Sequence, residues 1–328
     1  MDDTAIFVEG LSKHFGEVTA LAGIDFAVPA GTVLGLLGPN GAGKTTAVRI
    51  LATVIAPDGG RAEVLGHDVR REAETVRYLI GLAGQNAAVD PNLSGRENLR
   101  MIGRLTQLQA KLIEPRAAEL LERFGLAEAA DRPVRTYSGG MRRRLDVAAA
   151  LAHRPPVLFL DEPTTGLDPE GRNELWAVIR ELVGDGTTVL LTTQYLEEAD
   201  RLADRIVVID KGRVIADDTA AVLKSRLGAT VAELDMGGVH EAGQAAGLVG
   251  AIHGGHVETE GSTLRVTLGD GASALIDILR TLDANGMAPG HLTVREPSLD
   301  DVFLTLTGRH VEAEPEPSES KPTKAGAR

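Results

Sequence analysis

The chain has 328 residues, no cysteine and a formal net charge of −13; 43% of its residues are hydrophobic but only 3% aromatic. That composition describes a globular chain with an aliphatic core and room for two domains. It excludes disulfides and cysteine-ligated metal and argues against duplex nucleic acid, whose binding relies on clustered cations.

Taken in chain order, Phe7-Val8-Glu9-Gly10-Leu11 and Ile24-Asp25-Phe26-Ala27-Val28 have period-two character and suit an antiparallel β layer. Thr32 to Leu37 reads as a buried strand. It feeds Gly38-Pro39-Asn40-Gly41-Ala42-Gly43-Lys44-Thr45-Thr46, a full GxxxxGK[ST] match in the strand-to-helix context that motif requires. Glycines are expected where a Cβ would obstruct phosphate or force a strained left-handed backbone. Lys44 supplies an ammonium for the β- and γ-phosphates of a nucleoside triphosphate, Thr45 a hydroxyl for Mg2+, and the helix that follows aims its positive end at the anion.

Residues 86–153 read as mostly helical. Ser94 and Glu97 predict a capping box opening a helix over Arg96 to Leu105. Lys111 to Phe124 has apolar residues at helical spacing, with Gly125 as its stop. Tyr137-Ser138-Gly139-Gly140-Met141 precedes a further helix, whose free amides and serine hydroxyl form a second anion site. The consecutive Arg142, Arg143 and Arg144 cannot share one helix face and are expected mostly in solvent, with one reaching a partner subunit.

Val157-Leu158-Phe159-Leu160-Asp161-Glu162 predicts a central parallel strand ending in two carboxylates. Asp161 suits a role in holding Mg2+ and Glu162 is placed to polarise an attacking water. Val189 to Thr193 reads as another strand, followed by Gln194. Beyond it the chain predicts strand-helix-strand-strand-helix-strand: strands at 230–235, 256–259, 263–268 and 291–295, helices at 239–248 and 272–284. Ser298 with Asp301 predicts a last helix, with Val302, Phe303 and Leu306 as its apolar stripe, packing on its own domain or meeting another subunit. From Glu312 the tail is expected to be disordered.

Motif by motif, residues 1 to about 221 resemble the nucleotide-binding subunit of an ATP-binding cassette transporter. Phe15 occupies the position of an aromatic that stacks on adenine. Gln85 matches a glutamine that senses Mg2+ and the membrane partner, Ser138-Gly139-Gly140 the signature segment, and Thr165-Gly166-Leu167-Asp168 the loop that crosses the dimer interface. Gln194 stands at the switch position, where most members have histidine; Tyr137 and Met141 replace the usual Leu and Gln around the signature. The Gln194 segment, residues 137–146 and the chain's ending resemble the daunorubicin/doxorubicin-resistance branch.

The resemblance implies an α/β P-loop NTPase cassette over residues 1–221, with an antiparallel β layer and a helical insertion at about 86–153. A small ferredoxin-like α+β domain at 222–311 and a tail at 312–328 complete the expected organisation. It implies ATP and Mg2+ as ligands, a second copy of the chain as partner, and Lys44 of one copy facing Ser138 of the other across one ATP. No stretch approaches the ~18–20 apolar residues of a membrane span, and Met1-Asp2-Asp3 lacks the start of an export signal. The expected place is therefore the cytoplasmic face of a membrane, beneath a separate permease, with anthracycline-like drugs as cargo. A lipid or glycan exporter, or a regulatory ATP-binding module with little turnover, stays open because these motifs act on ATP and not on cargo.

Overall fold

The computed structural model describes residues 4–84, 88–225, 230–252, 256–268, 272–295 and 298–307. In chain order the elements are β1 (Thr4–Phe15), β2 (Val18–Pro29), β3 (Val33–Leu37), α1 (Lys44–Leu51), β4 (Gly59–Val64), β5 (His67–Asp68), α2 (Ala73–Leu79) and β6 (Ile80–Ala83). The helices α3 (Gly95–Leu105), α4 (Ala110–Arg123) and α5 (Gly139–Ala150) follow. Then come β7 (Val157–Asp161), α6 (Pro169–Gly184), β8 (Thr188–Thr193), α7 (Leu196–Leu202), β9 (Arg205–Asp210), β10 (Arg213–Asp218) and α8 (Ala220–Ser225). The last group is β11 (Thr230–Asp235), α9 (Val239–Ile252), β12 (Val257–Glu260), β13 (Thr263–Leu268), α10 (Ala272–Ala284), β14 (His291–Arg295) and α11 (Leu299–Thr307).

Six strands form the central sheet in the order β10-β9-β3-β8-β7-β6, parallel except where β10 pairs antiparallel with β9. Every residue of β3, β7 and β8 is buried, which explains why they read as unbroken apolar runs. Side chains alternate between the faces. Val157 and Phe159 join a core with α1 and the antiparallel sheet β2-β1-β4-β5. Leu158 and Leu160 join a second core with α3 to α6, around Phe124, Leu145 and Trp176.

The helical insertion begins as its sequence predicts: Ser94 Oγ accepts from the Glu97 amide at 3.2 Å and Glu97 Oε2 accepts from the Ser94 amide at 2.7 Å. Pro115 sits inside α4. It falls in the second turn, past the first-turn positions where proline's missing N–H costs nothing.

The C-terminal strands make an antiparallel sheet in the order β12-β13-β11-β14, the strand order of a ferredoxin-like βαββαβ unit, with its own core of Ala232, Leu234, Val249, Leu264, Val266, Ile278 and Leu282. The last helix departs from the expectation that it packs on its own domain. Leu299, Val302 and Phe303 of α11 are buried with Leu196 and Ala199 of α7 and Leu223 of α8, while Leu306 is exposed. Arg295 makes a two-pronged ion pair to Asp301 at 2.7 and 3.0 Å and also holds Glu233 at 3.0 Å, tying α11 back to β14 and β11. Among the described residues no helix is long and apolar enough to cross a membrane.

Candidate active site

The site is assembled at the carboxyl ends of the adjacent strands β3, β8 and β7, where ligands of open α/β sheets bind. β3 runs into the glycine loop. Gly43 caps α1 in a left-handed conformation (φ 112°) and no side chain caps the helix, so its first turn presents amide donors and the positive end of its dipole. The glycine requirement comes from the protein's own backbone. A Cβ on Gly43 would lie 2.5 Å from the Ala20 carbonyl oxygen, and one on Gly38 would collide with that of Ile209. For Gly41 (φ 80°) a Cβ would meet no atom of the described residues within 4 Å, and its left-handed backbone angle calls for glycine. Asn40 and Gly41 are exposed, Pro39, Thr45 and Thr46 half-buried, and Ala42 buried.

Lys44 is buried, and its ammonium donates to the carbonyls of Gly38 at 2.7 Å and Pro39 at 3.2 Å. Burial pulls its pKa down, opposed by the charges of Glu162 and Asp161. Thr45 Oγ1 donates to Asp161 Oδ1 at 3.1 Å, and the hydroxyl of Thr192 on β8 donates to the same oxygen at 2.5 Å. A hydroxyl and one carboxylate are the hard-oxygen set that suits Mg2+, which leans on one or two carboxylates and on substrate phosphates. The residues present therefore fit Mg-ATP.

Glu162 follows at once, half-buried and left-handed (φ 52°). Its amide donates to the Thr192 carbonyl at 3.0 Å and to Thr192 Oγ1 at 3.1 Å, and Thr165 Oγ1 lies 3.5 Å from its carboxylate. Gln194 is half-buried at the end of β8. The turn after it is set by the Tyr195 amide donating to Thr193 Oγ1 at 2.9 Å. The Tyr195 ring stacks on Arg172, whose guanidinium donates to the Leu167 carbonyl at 3.1 Å. Phe15, about half exposed, ends β1 where the hairpin turns into β2; residues 20–21 of β2 abut Gly43.

The signature segment lies apart. Ser138 and Gly139 are exposed at the start of α5, and Ser138 Oγ accepts from the Met141 amide at 3.1 Å. Gly140 sits against Leu167. Tyr137 is buried with its hydroxyl donating to the Ala129 carbonyl at 2.7 Å, so it fills a core position as leucine would and satisfies its own polar atom. Asp168 is exposed and caps α6 through the Gly171 amide at 3.0 Å. Gln85, expected as a Mg2+ sensor, lies outside the described residues.

Two site residues escaped the sequence. Thr192 reads only as one more strand residue, since nothing in its spacing says that it faces Asp161. Arg143 was expected in solvent or at a partner. It is instead turned inward, donating to the carbonyls of Asp161 at 2.8 Å, Glu162 at 2.9 Å and Pro163 at 2.9 Å. Arg144 pairs with Glu174 at 2.6 Å, and of the three only Arg142 is exposed.

Fold and site together define a P-loop nucleoside triphosphatase with a helical insertion between β6 and β7. Residues 21–165 match the family described as ABC transporter. The daunorubicin resistance ATP-binding protein DrrA3 of Streptomyces coeruleorubidus is 54% identical over 94% of this chain and 97% of its own length. The daunorubicin/doxorubicin resistance ATP-binding protein DrrA of Streptomyces peucetius is 51% identical over 93% and 92%. A solved ATP-binding subunit of an ABC transporter superposes with a TM-score of 0.62 at 27% identity, covering 68% of this chain and 92% of that one. The chain belongs to the ABC transporter family, as an ATP-hydrolysing cassette.

Proposed function

We propose that this chain is the motor subunit of a bacterial exporter that expels a hydrophobic, anthracycline-like drug through a separate membrane permease. The observation that carries the reading is the near end-to-end likeness, accessory region included, to two proteins named for daunorubicin resistance.

In this reading the P-loop residues 38–46 cradle the triphosphate, Lys44 holds its β- and γ-phosphates, and Phe15 stacks on adenine. Thr45 and Asp161 hold Mg2+, with Gln85 as a further ligand. The metal, when bound, offsets charge on the transferred phosphoryl group. Glu162 accepts a proton from the attacking water, and Gln194 donates a hydrogen bond to the γ-phosphate without carrying a charge. Ser138, Gly139 and Gly140 of a second copy close over the same nucleotide, and Asp168 lies at that interface. Support for the composite site comes from the exposure of Ser138, Gly139 and Asp168 on the single chain. In a two-fold dimer each copy contributes both kinds of surface.

The permease docks beside α3, where Leu93, Met101 and Leu105, with the charged Glu97, Arg100 and Arg104, line a groove of about 490 Å³ and Leu105 is largely exposed. The chain reaches the membrane only through that partner, at the cytoplasmic face. Residues 1–221 form the cassette, 222–311 the accessory domain and 312–328 the tail; the separate apolar core of the C-terminal sheet supports that division.

The deciding experiment is size-exclusion chromatography of the Glu162→Gln variant with Mg-ATP. A stable dimer is expected, falling apart with Mg-ADP. A monomer under both conditions, beside a wild-type chain that hydrolyses no ATP, rejects the reading.

A further inference from the structure

Arg143 stands on the second turn of α5, and its guanidinium has five N–H donors in one plane. The described contacts occupy all three nitrogens. Nε donates to the Pro163 carbonyl, Nη2 to the carbonyls of Asp161 and Glu162, and Nη1 to the Gly84 carbonyl and to Asp146 Oδ2 at 3.4 Å. Asp146, one turn further along α5, accepts the Ala88 amide at 2.7 Å on its other oxygen. One ion pair on the signature helix, buried at its Asp146 end, thus grips three successive carbonyls around Glu162 and both flanks of residues 85–87.

Glu162 needs such a grip. A non-glycine residue with left-handed backbone is strained and persists only where its surroundings impose it. On the amide side Thr192 imposes it; on the carbonyl side Arg143 does. We propose that Arg143 is a positioning residue: its planar fork, anchored by Asp146, sets the backbone of Glu162 and couples that carboxylate to the ends of the segment between Gly84 and Ala88. Lysine cannot substitute, because a tetrahedral ammonium with three donors cannot serve three consecutive carbonyls and a strand end together. Asp146 is pushed up by burial, which Arg143 and the Ala88 amide oppose.

The inference rests on Glu162 acting on water, and its test separates the two. Full-length wild type, Arg143→Lys and Arg143→Ala are compared in steady-state Mg-ATPase assays and in hydrogen–deuterium exchange without nucleotide. Arg143→Lys is expected to lower kcat at least about ten-fold with KM within about two-fold, the loss a small misplacement of a catalytic group causes. Exchange of the Glu162 and Ala88 amides should accelerate about ten-fold while those of β3 and β8 hold. Millimolar guanidinium should restore part of the Arg143→Ala rate and leave wild type unchanged. Wild-type kcat in Arg143→Lys, or protection lost throughout the sheet, overturns the positioning role. A wild-type chain without ATPase activity removes the underlying reading before any variant is made.

Discussion

Thr192 and Asp161 are register partners on adjacent parallel strands, joined by a 2.5 Å hydrogen bond from the threonine hydroxyl to Asp161 Oδ1. The same hydroxyl oxygen accepts the Glu162 amide at 3.1 Å. One side chain therefore aims the residue proposed for Mg2+ and braces the residue proposed for water. Thr192→Val keeps the shape and removes both bonds. It should lower kcat about ten-fold and destabilise the fold by about 1–3 kcal/mol, the cost of a buried polar group left short of a partner. Thr192→Ser should recover most of both, measured by ATPase assay and thermal melting.

The glycine loop predicts an ordering. Gly43→Ala meets the Ala20 carbonyl and Leu21 and carries a left-handed backbone besides, whereas Gly41→Ala meets nothing among the described residues and carries the backbone penalty. Gly43→Ala should lose nucleotide binding and several °C of Tm. Gly41→Ala should cost about 1 kcal/mol. Equal effects in ATP titrations and melts would refute the packing account.

Gln194 cannot titrate, so the pH–rate profile of the wild type should carry no inflection from the switch position. Gln194→His should add one near the ordinary histidine pKa of about 6.5. Gln194→Ala should lower the rate at every pH. A wild-type rate in Gln194→Ala would remove this side chain from the chemistry.

Glu198 is fully buried beneath α6, accepting from Trp176 Nε1 at 3.0 Å. Burial pushes its pKa up from 4.5. A carboxyl raised on folding favours the fold fully below its unfolded pKa and gives that stabilisation up as pH rises through the folded value. Glu198→Gln retains an acceptor for Trp176 and has no proton to lose. The variant should therefore gain Tm on the wild type as pH climbs above about 4.5, by roughly 2–4 °C per kcal/mol. Fluorescence of Trp176, the one tryptophan of the chain, reports the melt.

Local features were legible from residues alone because their causes are local. The capping box at Ser94 needs only a serine and a glutamate three residues apart. The strand order of the C-terminal unit follows from its element order, since one hairpin and two helical crossovers leave few ways to arrange βαββαβ. Arg143 was misread because successive helix residues point about 100° apart. Which of three arginines turns inward depends on where the Asp161–Pro163 backbone passes, some twenty residues downstream. The placement of α11 was misread for a similar reason: its stripe of Val302 and Phe303 announces burial without naming the surface that receives it.

By itself the sequence determined the phosphate loop, the paired carboxylates, the signature segment and the order of the elements, because each is encoded in neighbouring residues or in a period along the chain. Tertiary structure alone decided what holds those parts in register: Thr192 on Asp161, Arg143 on three carbonyls, and Ala20 and Ile209 against the glycines. Those contacts join residues far apart in the chain, and only the packing of strand ends and helices brings their donors and acceptors within hydrogen-bond reach.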